Sequence, residues 1–309
     1  MDMVLALDIG GTSVKNGLVS KEGEILYRNE YAVGDEPLLL AVRNAARLQT
    51  ENAQKQRIRL QGIAVAATGQ IDGDNGVIAG TNGAIPGWEG VNLKKELGKE
   101  TGFERILVEN DANCAAYIEA VKGVGREKDS VLLVTLGTGI GSGIVYHKEL
   151  IRGAHGLAGE AGHICIEYKG RPCPCGRYGC WERYASVSAL VRDAADALRG
   201  SGEIPQNGKD VFAMERCGNR LIHGVVERYF EFLCLGLADL IHCLNPEIVI
   251  LGGGISAEGK GLCDRVMLRL KEMVMPGFLK DLVIRTAKYQ NDAGMLGAAE
   301  LFFHSESSE

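Results

Sequence analysis

The sequence predicts an α/β fold built from two lobes, and three observations carry that prediction. At 309 residues the chain is long enough for two units of ordinary domain size, each with its own core. Short apolar runs of strand type alternate with stretches of helical spacing along its length. A strand, a glycine turn carrying threonine and a second strand occur in VLALDIGGTSVKNGLVS and again, about 127 positions later, in LLVTLGTGIGSGIVYHK, which implies a duplicated unit.

The elements follow from local signals. Val4 to Asp8, Val14 to Val19 and Glu24 to Val33 read as an antiparallel meander, punctuated by Gly10-Gly11 and Lys21-Glu22-Gly23. Helical spacing runs from Pro37 to Gln54, and a buried strand from Leu60 to Ala67. A Gly- and Asn-rich loop extends to Gly90, before a helix over Leu93 to Thr101 and a short strand over Ile106 to Val108. Asp111 opens a further helix. The opening pattern then returns as a strand over Val131 to Leu136, a glycine turn from Gly137 to Gly143 and a strand over Ile144 to Tyr146. Beyond a cysteine-rich loop at 170–182 come helices over Val187 to Leu198 and Leu221 to Leu244. A buried strand over Ile248 to Leu251 enters GGGIS, ahead of a helix over Gly261 to Val274. Ala293 to Phe303 reads as the last helix, before a frayed SESSE tail. The expected division is a smaller lobe of 1–114 plus 295–309 and a larger lobe of 115–294 that carries the loop 163–182.

Composition excludes several function classes. Apolar residues at 46% and charged residues at 24% match an ordinary globular protein, so neither disorder nor a fibrous fold is expected. A net charge of −6 without any Lys/Arg-rich run argues against nucleic acid as a partner, since cations must displace counterions from phosphate. MDMVLALDIGG has no basic leader, and no apolar stretch approaches the ~20 residues of a membrane span. A cytoplasmic protein is expected. Nine cysteines, an odd count without a secretory signal, argue against disulfides.

Four segments carry chemistry. In DIGGT, Gly10 and Gly11 let backbone N–H groups approach a phosphate, Thr12 adds a hydroxyl, and Asp8 at the strand end suits the Mg²⁺ that travels with ATP. Taken alone, DIGGT reads equally well as a plain hairpin. In TLGTGIGSG the glycines alternate and strand residues follow, where a dinucleotide fingerprint would need a helix. GGGIS, at Gly252 to Ser256, lies between a strand and a helix, where nucleoside phosphates can meet open backbone. In VENDANCAA the strand ends at Glu109, and Asp111 stands at a helix N-terminus that favours its charged form, as a general base requires. Without the glycine turns, a cap by Asn110 or Asp111 is the simpler reading. Finally, His163, Cys173, Cys175 and Cys180, spaced H-x9-C-x-C-x4-C, supply one imidazole and three thiolates for a closed, structural Zn²⁺ site.

DIGGT, TLGTGIGSG and GGGIS in this order resemble the two phosphate loops and the adenosine loop of actin-like ATPase-type sugar kinases. GEAGH followed by CPCGRYGCWE resembles the signature of the ROK family (repressors, open reading frames and kinases). The resemblance runs from DIGGT through ENDAN to the late NDAGMLGAA. It implies an actin-like (ribonuclease H-like) fold with duplicated βββαβα cores, and an ATP-dependent sugar kinase acting on a hexose hydroxyl, by resemblance the 6-OH. Asp111 then matches the catalytic base, and Asn110, Glu160, His163 and Glu182 match sugar-binding residues, with Gly69 and Asn82 in the loops expected around the sugar. Nucleotide contacts are expected at Asp8, Gly10, Gly11, Thr12, Lys15, Gly137, Thr138, Gly139, Gly253 and Gly254. A homodimer is implied. The chain departs from the family pattern at Thr68, where proline is common, and at Ala84, where many glucokinases carry asparagine. N-acetylmannosamine and β-glucosides are alternative substrates. The rival of another class is a sugar-sensing ROK regulator without its DNA-binding domain; only seven residues precede Asp8, and no basic recognition helix is seen.

Overall fold

The computed structural model describes residues 2–81 and 85–305 and divides into two compact units, each with its own hydrophobic core. The first comprises residues 1–122, 149–158 and 291–309, and the second 123–148 and 159–290. The expected boundary at residue 114 would cut a continuous helix, Asp111–Val121, nearly all of whose residues are buried. A second difference is the return of 149–158 to the first unit, which no composition shift announces.

The first unit is built on the strands β1 (Met3–Ile9), β2 (Ser13–Ser20), β3 (Ile25–Ala32) and β4 (Leu60–Ala67). A short hairpin of β5 (Gln70–Asp72) and β6 (Val77–Gly80) follows, and then β7 (Ile106–Asn110). The main sheet has the order β3-β2-β1-β4-β7, antiparallel through the meander and parallel from β1 through β4 to β7. β1 and the second half of β4 are almost wholly buried, as central strands covered on both faces must be, whereas the edge strand β3 is largely exposed. Helix α1 (Leu38–Lys55) buries Leu38, Ala41, Val42, Ala45, Ala46, Gln49 and Ala53, the recurrence of one helical face. Gln49 is tolerated there because its amide donates to Asn16 Oδ1 and to the Tyr27 carbonyl, both at 2.7 Å. Helix α2 (Leu93–Thr101), capped by Asn92, precedes β7, and α3 (Asp111–Val121) follows it directly. The C-terminal helix Ala293–His304 packs on α3 so closely that a Cβ at Gly297 would overlap the Cys114 backbone. The Gly- and Asn-rich stretch read as a loop contains the β5–β6 hairpin. Its turn relies on positive φ at Gly76, and the alternation is too short to register as strand.

The second unit repeats the plan. Strands β8 (Ser130–Leu136), β9 (Ile140–Tyr146), β11 (Ile248–Gly252) and β12 (Val283–Thr286) form its sheet, in the order β9-β8-β11-β12, while the two-residue β10 (Glu149–Leu150) belongs to the segment that returns to the first unit. β8 and β9 are antiparallel like β1 and β2, and β8, β11 and β12 are parallel. The glycine turn is shorter than expected: Gly141 and Gly143 lie within β9, paired with Thr135 and Leu133, because the ladder to β8 holds them extended. After the short α4 (Glu182–Ala185) come α5 (Val187–Ala197), α6 (Gly208–Arg216), α7 (Arg220–Leu244) and α8 (Gly259–Met273). α6 was not legible from apolar spacing, since it buries only Val211 and Phe212. The wholly buried Trp181 lies on Gly236 of α7, where any Cβ would strike the indole, and its Nε1 donates to the Phe232 carbonyl at 2.8 Å. That anchor fixes the chain between Cys180 and Glu182. Among the described residues no helix is long and apolar enough to cross a membrane.

Candidate active site

In the first unit the DIGGT turn closes through Gly10 N–H, which donates to the Ser13 carbonyl at 3.0 Å. Asp8 stands at the end of β1 against Gly294, where a Cβ would collide with its carboxylate. Burial pushes the Asp8 carboxyl above its usual range, while Lys15, whose Nζ lies 3.4 Å away across the β1–β2 pair, pulls it back. Gly11 and Thr12 are exposed at the turn. Thr68, where the family often has proline, uses the N–H that proline lacks to donate to the Ile9 carbonyl at 3.0 Å.

At the junction of β7 and α3 the cap and the first-turn carboxylate are different residues. Asn110 is the N-cap: its Oδ1 accepts from the N–H groups of Ala112 at 2.9 Å and Asn113 at 3.1 Å, and its Nδ2 donates to the Gly69 carbonyl at 3.0 Å. Gly69 reaches that position with φ +108, a backbone few other residues adopt. Asp111 thus lies in the first turn, its Oδ1 accepting from Ala112 N–H at 2.8 Å. Glu109, one residue before the cap, is buried and accepts from Asn110 N–H, Asn113 Nδ2 and Arg152 Nε at 3.0, 2.9 and 2.6 Å. Sequence reasoning passed over Glu109 and Arg152. Glu109 stands next to a singled-out residue, but nothing local connects it with a cation forty-three positions on. Asn82 lies outside the described residues.

The second unit gathers the cysteine loop and its acids. The ligand atoms of His163, Cys173, Cys175 and Cys180 all lie within 4.8 Å of one another, with His163 Nδ1 to Cys173 Sγ and Cys175 Sγ to Cys180 Sγ both at 3.6 Å. Zn–S bonds near 2.3 Å put the edges of a tetrahedron at about 3.8 Å, so the two 3.6 Å pairs match that geometry and the set is compact enough to hold a zinc ion. Tight turns shape it: Gly176 N–H donates to the Cys173 carbonyl at 3.1 Å, and Gly179 adopts φ +77. Glu182 Oε1 lies 3.3 Å from Cys173 Sγ and 4.0 Å from His163 Nδ1, and Glu160 Oε2 lies 3.9 Å from His163 Nε2. Burial raises the Glu160 carboxyl and His163 opposes that shift. Gly139 belongs to this group because a Cβ there would come 2.7 Å from Glu182 Oε2. In a second set of possible ligands, Glu215, His223 and Glu227, the two carboxylates are engaged by Arg265 and Arg269, and His223 Nδ1 lies 3.2 Å from Glu215 Oε1.

Both glycine turns of this unit border one cavity of about 490 Å³, lined by Gly137, Thr138 and Gly254, and by Val187, Val191 and Asn207 of the helical segment. Gly253 needs its φ of +80, and any Cβ there would overlap the Leu136 backbone. The helical residues of the cavity were not singled out from sequence, because their apolar spacing is that of any core face.

The profile described as the ROK family matches residues 4–305. A glucokinase of Thermotoga maritima is 34% identical, with 96% of each chain covered, and a beta-glucoside kinase of Listeria monocytogenes is 34% identical with 98% of each covered. The crystal structure of a ROK family glucokinase from Streptomyces griseus in complex with glucose and AMPPNP superposes with a TM-score of 0.84 at 31% identity, over 97% of this chain and 98% of that one. The duplicated sheets are those of the actin-like ATPase fold that such kinases share. With a matching profile and relatives that align over nearly its whole length, the chain belongs to the ROK family.

Proposed function

We propose that this protein is an ATP-dependent sugar kinase that transfers the γ-phosphoryl group to a hexose hydroxyl, with Asp111 as the general base. The single observation that carries the reading is the β7–α3 junction. Asn110 takes over the capping, which leaves the Asp111 carboxylate oriented in the first turn by the Ala112 N–H. Family membership and the glucokinase relatives support the same chemistry.

Phosphoryl transfer asks mainly for positioning and charge stabilisation. In this reading Asp111 accepts the proton as the sugar oxygen attacks, and Asn110 and the Gly69 turn hold neighbouring hydroxyls. Glu160, His163 and Glu182 serve as further hydroxyl partners; their mutual distances support one polar cluster. The cavity beside Gly137, Thr138 and Gly254 suits an adenosine and its phosphates, with Gly139 and Gly253 in the same two turns. Gly10, Gly11, Thr12 and Lys15 offer donors to phosphate oxygens, and Asp8 would hold Mg²⁺. His163, Cys173, Cys175 and Cys180 would hold Zn²⁺, whose contribution is to stiffen a loop with little core of its own. The 6-OH as acceptor, a cytoplasmic location and a homodimer complete the proposal.

Release of ADP should be measured with ATP and, in turn, glucose, mannose, fructose, N-acetylglucosamine, N-acetylmannosamine and a β-glucoside. Turnover of at least one hexose is expected, and the ranking names the substrate. Turnover of none would sink the kinase reading.

A further inference from the structure

The buried carboxylate next to the cap is a charged group where the fold does not demand one. Glu109 is only 5% exposed, yet it stands in a parallel strand, opposite Ala66 of β4. A buried ion pair contributes little net stability compared with an apolar pair of the same volume, so its presence calls for another role. All three of its partners act at the β7–α3 junction. Oε1 accepts from Asn110 N–H and from Asn113 Nδ2, and Oε2 accepts from Arg152 Nε at 2.6 Å. Arg152 belongs to the segment 149–158 of the same unit and remains 44% exposed, so the cation keeps part of its hydration while pairing with a carboxylate that is almost wholly buried.

We propose that Glu109 and Arg152 form a positioning pair for the reaction. Glu109 captures the N–H of the cap residue and the amide of Asn113, fixing the start of α3 and with it the direction of Asp111. Arg152 holds the second oxygen of that carboxylate and so keeps it stationary in a buried place. The backbone at Asn110, φ −64 and ψ 144, is held on its N–H by Glu109 and on its side chain by Gly69, so the turn carrying Asp111 is gripped from two sides. Neither Glu109 nor Arg152 is assigned a contact with sugar or nucleotide. Removing Arg152 takes away the cation that holds Oε2, and the carboxylate is then able to swing towards solvent, releasing Asn110. Replacing Glu109 by glutamine as well keeps an acceptor for Asn110 N–H and removes the charge that needed a cation.

The inference rests on Asp111 being the base, and the test separates the two. In the full-length protein, kcat and the KM for ATP are measured with glucose, or with the panel sugar turned over fastest, for the wild type, Arg152→Met, Glu109→Gln, Glu109→Leu, the double variant Glu109→Gln/Arg152→Met, and Asp111→Asn. Thermal melts confirm that each is folded. Arg152→Met is expected to lose about tenfold to a hundredfold in kcat with the KM for ATP unchanged, as a small misplacement of a reacting group would cause. The double variant is expected to recover most of that loss, a repair by a second substitution that a merely structural contact would not show. Should Arg152→Met fail to fold, Glu109→Leu against Glu109→Gln decides: only the leucine variant, which removes the acceptor, should lose kcat. A wild-type kcat in both Arg152→Met and Glu109→Leu, or a double variant no faster than Arg152→Met, overturns the positioning role while a dead Asp111→Asn leaves the base in place. A fully active Asp111→Asn overturns the base reading, and the positioning role goes with it.

Discussion

Asp111 is not the cap of its own helix. An aspartate at a helix start is more often a cap than a catalyst, but here the capping oxygen belongs to Asn110, which serves two N–H groups of α3. Asp111→Asn keeps the shape and the Ala112 contact while removing the basicity. It should therefore melt like the wild type and lose about 10²–10⁴-fold in kcat, the usual share of a general base. Near-normal turnover would take Asp111 out of the mechanism. Gly253 carries an equally local prediction. Its φ of +80 and the absence of room beside Leu136 make Gly253→Ala doubly unfavourable. That variant should lose about 1–3 kcal/mol of stability by chemical denaturation, with a raised KM for ATP. An unperturbed unfolding curve would mean that the turn adapts.

Among the elements, the cysteine loop depends most on something beyond its own packing. Between Ala161–His163, a single 3-10 turn, and α4 it has no regular structure except isolated bridges such as Cys165 with Cys180. One end is fixed by Trp181 on α7, and the other rests on the His163 and cysteine cluster. Zinc bound there would supply folding energy directly. Protein stripped by a strong chelator should melt lower by several degrees and bind sugar more weakly, and added Zn²⁺ should restore both. Identical melting curves with and without metal would contradict a structural zinc. Elements also explain where the sequence was hard to read. Long strands and helices with a continuous apolar face were legible: β1, β4, α1 and α7 lie within a residue or two of their expected bounds. Short elements such as β5, β6 and α6 were not, because a few alternating or polar residues look like loop until tertiary partners cover them.

Considered whole, the molecule carries carboxylates in both units whose folded forms favour ionisation. In the first unit the Arg43 guanidinium, hydrogen-bonded to Glu96, holds that carboxyl below its ordinary value of 4.5. In the second, Glu247 accepts from Ser130 N–H at 3.0 Å and Asp129 N–H at 2.7 Å and is lowered in the same sense. A carboxyl with a depressed folded pKa adds stability that is present above its unfolded value and is lost as pH falls through the folded value. The denaturation midpoint should therefore fall as pH drops below 4.5, and Glu247→Gln should flatten its share of the slope. Parallel pH profiles for the two proteins would show that Glu247 contributes nothing.

By itself the sequence determined the duplicated α/β plan and the family and singled out the candidate reacting groups, because these rest on features local in the chain. Hydrophobic period, glycine at turns and the spacing of four metal-type ligands can all be read within a few residues of one another. Only the tertiary structure decided the rest: that Asn110 and not Asp111 is the cap, that Gly139 makes space for Glu182, and that residues 149–158 return to the first unit and bring Arg152 onto Glu109. Those facts depend on contacts between residues distant in sequence. Their cost or gain is set by burial and geometry at the meeting point, and no pattern within either segment records it.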